Sequence, residues 1–287
     1  TVEKEQTTEV DLANMMVGRE VFLKPAPPAM NIGEPILEVE HLTANNELHR
    51  KVLDDITFQV RSGEILGIAG IDGNGQTELV RALIGLQKIS KGRILLDGNE
   101  ISHLPVKKMR DAGIGVIPED RLEEGLIQDF EVKENLILGL QRNKPFSGGF
   151  FIDWKSVREN AYNLIKTFDI RTPDIDHNAR FLSGGNQQKV IVAREIFHAP
   201  DTIIAAQPTR GLDIAATDFV HEQLIKQRDD GKAILLLSLS LEEIMLLSTR
   251  IAVIYKGAIV TIVNREDTTA EDLGLMMLGG SYEHIKV

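Results

Sequence analysis

The 287-residue chain contains no cysteine, so it can form neither a disulfide framework nor a thiolate metal site, and no cysteine redox chemistry can occur. That fits a reducing compartment. Long apolar runs are missing too. The longest, such as Ala233-Ile234-Leu235-Leu236-Leu237, fall far short of the roughly 20 residues a membrane-crossing helix needs. Positive charge is in short supply, with 32 Lys and Arg against 43 Asp and Glu and a net charge of −11. That argues against a nucleic-acid partner, because phosphate backbones are gripped by clustered Lys and Arg. Any phosphate group must be held locally, by backbone N–H groups. The opening Thr1-Val2-Glu3-Lys4-Glu5 has neither the apolar core of a signal peptide nor an initiator Met, so a cut fragment of a longer protein is expected.

What is present suits a globular α/β protein. A hydrophobic content of 43% allows one good core and a small second lobe. Ile36 to Glu40 and Ile56 to Val60 alternate apolar and polar residues and predict half-buried strands in an antiparallel edge layer. Ile65 to Ala69 reads as a buried strand running into a glycine loop, followed by a helix over Thr77 to Ile84 that stops at Gly85. Thr202 to Ala206 and Ala233 to Leu237 read as buried strands joined by a helix from about Ala215 to Arg228, the spacing of a parallel βαβ crossover. Ile251 to Tyr255 and Ala258 to Ile262 flank Lys256-Gly257, a tight hairpin turn. The span from about 119 to 196 shows helical patterns, at Trp154 to Phe168 and Gly185 to Phe197, and is expected to be an inserted helical lobe. Trp154 and the phenylalanines are expected in the core.

Two segments carry chemistry. Gly70-Ile71-Asp72-Gly73-Asn74-Gly75-Gln76-Thr77 follows the phosphate-loop pattern G-x-x-x-x-G-K-[ST] at every fixed position except the lysine, which is Gln76. Gly73 and Gly75 let N–H groups curl around phosphates, Glu78 follows in the first helical turn, and the Thr77 hydroxyl is of the kind offered to Mg²⁺. The charge missing at Gln76 is worth at most ~4 kcal/mol against a phosphate, so binding is expected to be weakened and not abolished. Leu182-Ser183-Gly184-Gly185-Asn186-Gln187-Gln188-Lys189 is the second segment: Ser183 can cap a helix starting near Gly184, whose dipole and free donors then face an anion.

With an apolar strand ending in Ala206-Gln207-Pro208-Thr209 and Asp213 soon after, the order of these segments resembles the nucleotide-binding domain of ATP-binding cassette (ABC) transporters, over about residues 36–280. Val116-Ile117-Pro118-Glu119-Asp120-Arg121 and Gln207-Pro208-Thr209-Arg210-Gly211-Leu212-Asp213 look more narrowly like the second cassette of duplicated ATPases that import simple sugars or nucleosides. The resemblance implies a P-loop NTPase fold with a RecA-like parallel-sheet core, an antiparallel β edge layer and an inserted helical signature lobe. It implies ATP and Mg²⁺ as cofactors, with ATP held head-to-tail between the loop of one cassette and the LSGG segment of the other. Partners would be the first cassette of the same chain or a second ATPase subunit, transmembrane permease subunits docked near Glu119 and, indirectly, a substrate-binding protein, all at the cytoplasmic face of the membrane.

Several positions depart from that family. The strand that should end in a Mg²⁺-holding Asp and a proton-accepting Glu ends in Ala206 and Gln207. Alanine cannot ligate metal, and glutamine cannot take a proton, which removes a contribution of roughly 10²–10⁴-fold. The switch histidine expected after Ser238 is Leu239, the glutamine expected after Ile117-Pro118 is Glu119, and His49 is the only ring where an adenine platform is expected. Asp213 matches an aspartate that acts across the dimer, yet an Asp at a helix start is equally well a plain N-cap. His221-Glu222 lacks the second histidine of a zinc protease site. Ala206, Gln207 and Leu239 look closer to the nucleoside branch than to the ribose or galactose branch. A non-hydrolysing ATP-clamped regulatory module is the rival; ribosome-acting duplicated cassettes fit the acidic charge and short linker less well.

A repeat completes the reading. When Thr7-Thr8 is laid on Thr268-Thr269, Asp11-Leu12 falls on Asp272-Leu273, Met15-Met16 on Met276-Met277 and Gly18 on Gly279, without a gap. Residues 1–20 are therefore expected to be the tail of a preceding similar cassette, and 21–35, with Pro25, Pro27, Pro28 and Pro35, a stiff linker.

Overall fold

Three strands carry the interior: β3 (Glu64–Ala69), β7 (Thr202–Ala206) and β8 (Ala233–Ser238) are buried throughout, because their residues are apolar or small enough to be covered on both faces, save Glu64, whose carboxylate is paired with Arg250. The computed structural model describes residues 26, 29 and 31–280; the expected tail over 1–20 and the linker residues up to Pro25, with 27, 28 and 30, lie outside the described residues. By compactness these divide into two units, one comprising Asp120–Arg194 and Thr209–Gln223 and the other the remainder.

The larger unit holds both sheets. A six-stranded sheet runs β10-β9-β3-β8-β7-β6, with β6 at Ile114–Ile117, β9 at Arg250–Tyr255 and β10 at Ala258–Asn264. Five of its strands are parallel and β10 pairs antiparallel with β9. The second sheet, β2-β1-β4-β5, is antiparallel, built from β1 (Pro35–Asn45), β2 (Lys51–Arg61), β4 (Ile89–Leu96) and β5 (Asn99–Glu100). Its inner faces, including Leu37, Val39, Ile56 and Phe58, join Leu66, Ile68, Leu79, Leu83, Ile204 and Leu235 in one apolar cluster. The α/β core, edge layer and Lys256-Gly257 hairpin are as expected from the sequence. β4 gives no strand signal because Ile89 and Ile94-Leu95-Leu96 are separated by a polar stretch, and β6 because four residues carry too little period.

Helices α1 (Gln76–Leu83), α2 (Val106–Asp111), α6 (Ile214–Asp229), α7 (Leu241–Leu247) and α8 (Ala270–Met277) connect or follow the strands, while α3 (Val132–Asn135), α4 (Trp154–Thr167) and α5 (Gly184–Phe197) belong to the helical span. Thr269 caps α8 and forms a capping box with Asp272, while Leu273, Met276 and Met277 are buried. These are the residues the internal repeat picks out.

The helical unit has its own small core of Ile137, Leu140, Phe146 and Val157. Beside it Lys133, only 6% exposed, is bonded to Glu131 and Asp176 and lies 5.7 Å from the centroid of the Trp154 ring. Burial pulls the Lys133 ammonium down, but its two carboxylate partners outweigh that and raise it. The aromatic expectation needs correcting here. Phe58, Phe146, Phe168 and Phe219 are buried, whereas Phe130, Phe181 and Trp154 are exposed and Phe150 and Phe151 stand fully in solvent, the last two because the apex of a reverse turn leaves them nothing to pack against.

Two outcomes follow for stability. Gly67 sits at the centre of β3, and a Cβ there would lie 2.2 Å from Ser248 Oγ and 3.2 Å from Ile244 Cδ1. Gly67→Ala should therefore cost ~1–3 kcal/mol in urea unfolding, partly recovered by Ser248→Gly, since the buried Ser248 Oγ has no hydrogen-bond partner to lose; an unshifted midpoint would refute the packing assignment. The hydrogen bond from Lys133 holds the Asp176 carboxyl below its usual range, so its contribution is present above about pH 4 and is lost as pH falls through the depressed folded value. Thermal melts against pH should show a shallower acid-side decline for Lys133→Met than for the parent.

Candidate functional site

Register brings the first set of residues together. Ala69 lies opposite Ser238 and Ala206 opposite Leu237, so the strands β3, β7 and β8 end level and release Gly70, Gln207 and Leu239 at one carboxyl edge. In open parallel sheets this edge is where ligands bind. The glycine loop 70–75 leaves β3 there and turns into α1. Gly73 and Gly75 sit at φ of 80° and 107°, a conformation that suits glycine and lets the loop curl, while the Asn74 N–H between them donates to the Ile71 carbonyl at 3.2 Å. Around Gly73 a Cβ would meet nothing within 4 Å, and α1 has no side-chain N-cap, so its first-turn donors have no competing side-chain acceptor. The loop is braced from outside: Asn74 Oδ1 accepts from the Lys256 N–H at 2.7 Å and the Asn74 carbonyl from Gly257 at 2.9 Å. Asp72 and Thr77 are exposed, and Glu78 is half-buried.

Gln76 folds back onto its own loop. Its Nε2 donates to the Ile71 carbonyl at 3.1 Å and lies 2.6 Å from where a Cβ on Gly70 would be, while its Oε1 is buried without a donor. Gln207 adopts a left-handed φ of 47°, costly for a residue with a side chain and the kind of strain that clusters at functional positions. Its N–H donates to the Leu237 carbonyl at 2.8 Å and its Oε1 accepts from the Leu239 N–H at 3.3 Å. The carboxamide thus ties the ends of β7 and β8 together where an ionisable base would face water. Ala206 is buried, Leu239 is 40% exposed and Glu119, two residues after β6, is half-buried. His49 is exposed in the β1–β2 turn.

This loop fits a phosphate group: a glycine turn, an uncapped helix start and open space around Gly73. It fits Mg²⁺ poorly. Thr77 offers one hydroxyl, Ala206 offers no ligand, and no cluster of three His, Asp or Glu that could hold a metal occurs among the described residues.

The second set lies in the helical unit. Ser183 precedes α5 and its Oγ accepts from Asn186 N at 3.4 Å and from Asn186 Nδ2 at 2.9 Å, the N-cap expected from sequence. Asn186 Oδ1 in turn accepts from Arg171 N at 2.7 Å, which locks the start of the helix. Gln187 turns inward, buried and donating to the Ala179 carbonyl at 3.1 Å; it is set apart from the exposed Ser183, and its geometry is that of a packing residue. Asp213 Oδ1 accepts from Ala216 N at 2.8 Å, so it caps α6. Arg121 carries no local sequence signal for a place in the site. Its Nη1 donates to the Arg210 carbonyl at 2.9 Å, and its Nη2 is 3.0 Å from where a Cβ on Gly184 would sit. A guanidinium thus rests against the positive end of α5, an arrangement that attracts an anion. A glycine at 184 is what lets it approach.

Residues 53–210 match the family profile described as ABC transporter. The chain belongs to the ABC transporter family. The cassette is 47% identical over 281 residues to the guanosine import ATP-binding protein NupO of Bacillus subtilis, covering 98% of this chain and 55% of that protein. It is 42% identical to the nucleoside import ATP-binding protein NupA of Lactococcus lactis subsp. cremoris, over 98% and 56%, and 39% identical to the glucose import ATP-binding protein TsgD13 of Haloferax volcanii, over 98% and 51%. The cassette spans about half the length of these curated relatives. Among solved structures, an ATP-binding subunit of an ABC transporter is similar with a TM-score of 0.71 over 85% of this chain and 99% of that one, at 22% identity; at that identity the likeness concerns the fold.

Restoring the absent cation should be measurable directly. Gln76→Lys is expected to tighten nucleotide binding by roughly 10- to 100-fold, inside the ~4 kcal/mol ceiling for one charge pair, in calorimetric titration of the cassette with ATP. Equal affinities would mean that the loop does not hold the phosphates.

Proposed function

We propose that the cassette is the degenerate second ATPase cassette of an importer, which retains ATP in its own loop and lends its Ser183 segment to the productive site of a neighbouring cassette. The observation that carries this is a mismatch between two sets of residues. Gly70, Asp72, Gly73, Asn74, Gly75, Gln76, Thr77 and Glu78 offer phosphate donors, but Gln76, Ala206, Gln207 and Leu239 replace every ionisable group that would cleave the nucleotide. Ser183, Gly184, Gly185 and Asn186, with Arg121 beside them, keep an exposed, capped helix start that can grip a phosphate supplied from outside. Thr77 is the one hydroxyl left for Mg²⁺, too few ligands for this loop to hold the ion by itself.

The neighbour would contribute the lysine, the Mg²⁺ aspartate and the general base. In such a pair Asp213 caps its helix and faces the partner, and Glu119 marks the cleft for permease subunits on the cytoplasmic face, with a substrate-binding protein acting through them. The position of this cassette as the second of two is supported by the internal repeat, whose described copy supplies the cap and buried face of α8, and by the nearly half of each relative that falls outside the match.

Nucleosides are the proposed cargo. Two relatives at 47% and 42% identity bear guanosine and nucleoside import in their names, against 39% for a glucose importer and 35% for a ribose importer. Sugar import is the second reading, favoured by those latter two. Labelled nucleoside and sugar uptake by cells carrying the intact transporter decides between them, and uptake of a pentose or hexose alone removes the nucleoside assignment.

The division of labour is tested by ATP turnover. The cassette alone should hydrolyse at background, and adding the first cassette should raise turnover by roughly 10²-fold or more. Ser183→Arg, which places bulk and charge at the capped helix start, should abolish that gain. Magnesium-dependent turnover by the cassette alone, lost on Gln207→Ala, would overturn the proposal; no gain with the partner would favour a non-hydrolysing clamp.

A further inference from the structure

Between α3 and α4 the chain makes a hairpin whose apex is built from the wrong residues for a solvated turn. Phe150 and Phe151 are 103% and 87% exposed, adjacent aromatic rings with no protein surface to cover them. A lone exposed ring is ordinary, but a contiguous pair on a protruding turn marks an interaction site. The apex is not loose. Ser147 and Ile152 form a bridge, Asp153 N donates to the Phe146 carbonyl at 2.8 Å, and the buried Ser147 hydroxyl accepts from Gly149 N at 3.1 Å while facing the Gly149 and Phe151 carbonyls at 3.0 and 3.2 Å. Phe146 is 1% exposed within the small core of the helical unit, with Ile152 packed on it. The base is anchored and the rings are held out.

The charge around the apex runs against the rest of the chain. In a protein of net charge −11, the arms of the hairpin carry Arg142, Lys144 and Lys155, all exposed. Arg142 and Lys144 have no ion pair among the described residues, and Lys155 reaches Glu159 only at 4.0 Å. The one carboxylate on the arms, Asp153, is spent as the N-cap of α4, accepting from Lys155 N, Ser156 N and the Ser156 hydroxyl. Trp154, 44% exposed, adds an amphipathic ring next to Lys155 in the chain.

We infer that this hairpin is an anchor for an anionic lipid surface. Exposure and charge favour an anionic lipid surface over a protein groove: two apolar rings stand in water at the turn, and exposed cations and a tryptophan flank them in the chain, the pairing of acyl-seeking and phosphate-seeking groups that such a surface takes up. The anchor would hold the cassette against the membrane in addition to whatever permease contacts it makes, and it is independent of the transported compound.

The test is co-sedimentation of the 287-residue chain with vesicles of phosphatidylglycerol and phosphatidylcholine in equal parts, or of phosphatidylcholine alone. Weak, salt-sensitive partition is expected, higher on the anionic vesicles. The double substitution Phe150→Ser and Phe151→Ser should lower it roughly tenfold or more, and Arg142→Ser and Lys144→Ser by about fivefold each, the factor for ~1 kcal/mol per cation near the surface. All these residues are solvated, so melting temperatures should be unchanged. Equal partition on both kinds of vesicle, or a Phe variant that sediments like the parent, overturns the inference. If that variant keeps its partition but no longer co-purifies with permease subunits in detergent, the hairpin docks protein and the lipid assignment is wrong.

Discussion

The level ending of three buried parallel strands is the constraint from which the candidate site follows. Because β3, β7 and β8 are apolar on both faces, each can be stable only in the middle of the sheet, and parallel register then forces Gly70, Gln207 and Leu239 to emerge at one edge. No side chain needs to seek the site. The backbone delivers the loop, and α1 begins without a side-chain cap where its donors are most useful.

What the edge lacks is as informative as what it holds. Gln207 holds a left-handed backbone and accepts a bond from Leu239 N through its amide oxygen, a link that keeps the ends of two strands together. Gln76 likewise fills part of its loop by bonding Ile71. Both are neutral amides at the edge where the loop and strands end, and the proposed division of labour rests on that neutrality. The helix start at Ser183 is the opposite case: its cap, the Asn186 brace and the nearby Arg121 are intact, which is the arrangement expected of a segment that serves a nucleotide held elsewhere.

The helical unit shows how local hydrogen bonding can set up surfaces that burial would never produce. A buried serine hydroxyl and one strand-like bridge hold the 147–152 turn so that two phenylalanines remain in water. The same unit buries Lys133 between two carboxylates and a tryptophan face, a cluster that draws Asp176 in from 43 residues along the chain.

Several elements could be read from the chain alone because their signals are local. The all-apolar runs of β7 and β8, the Lys256-Gly257 turn, the cap at Ser183 and the glycine loop each depend on a few neighbouring residues, and the family resemblance rests on the order of the same short segments. Other features were decided only by tertiary structure. Strands β4 and β6 are too polar or too short to announce themselves and exist because neighbours offer them ladder partners. Arg121 reaches Gly184 and Arg210 across more than sixty residues, Gln187 faces inward, and Phe150 and Phe151 face out. Composition and period report which residues prefer burial, but whether a given side chain finds cover, a partner or open water depends on what the rest of the chain brings beside it.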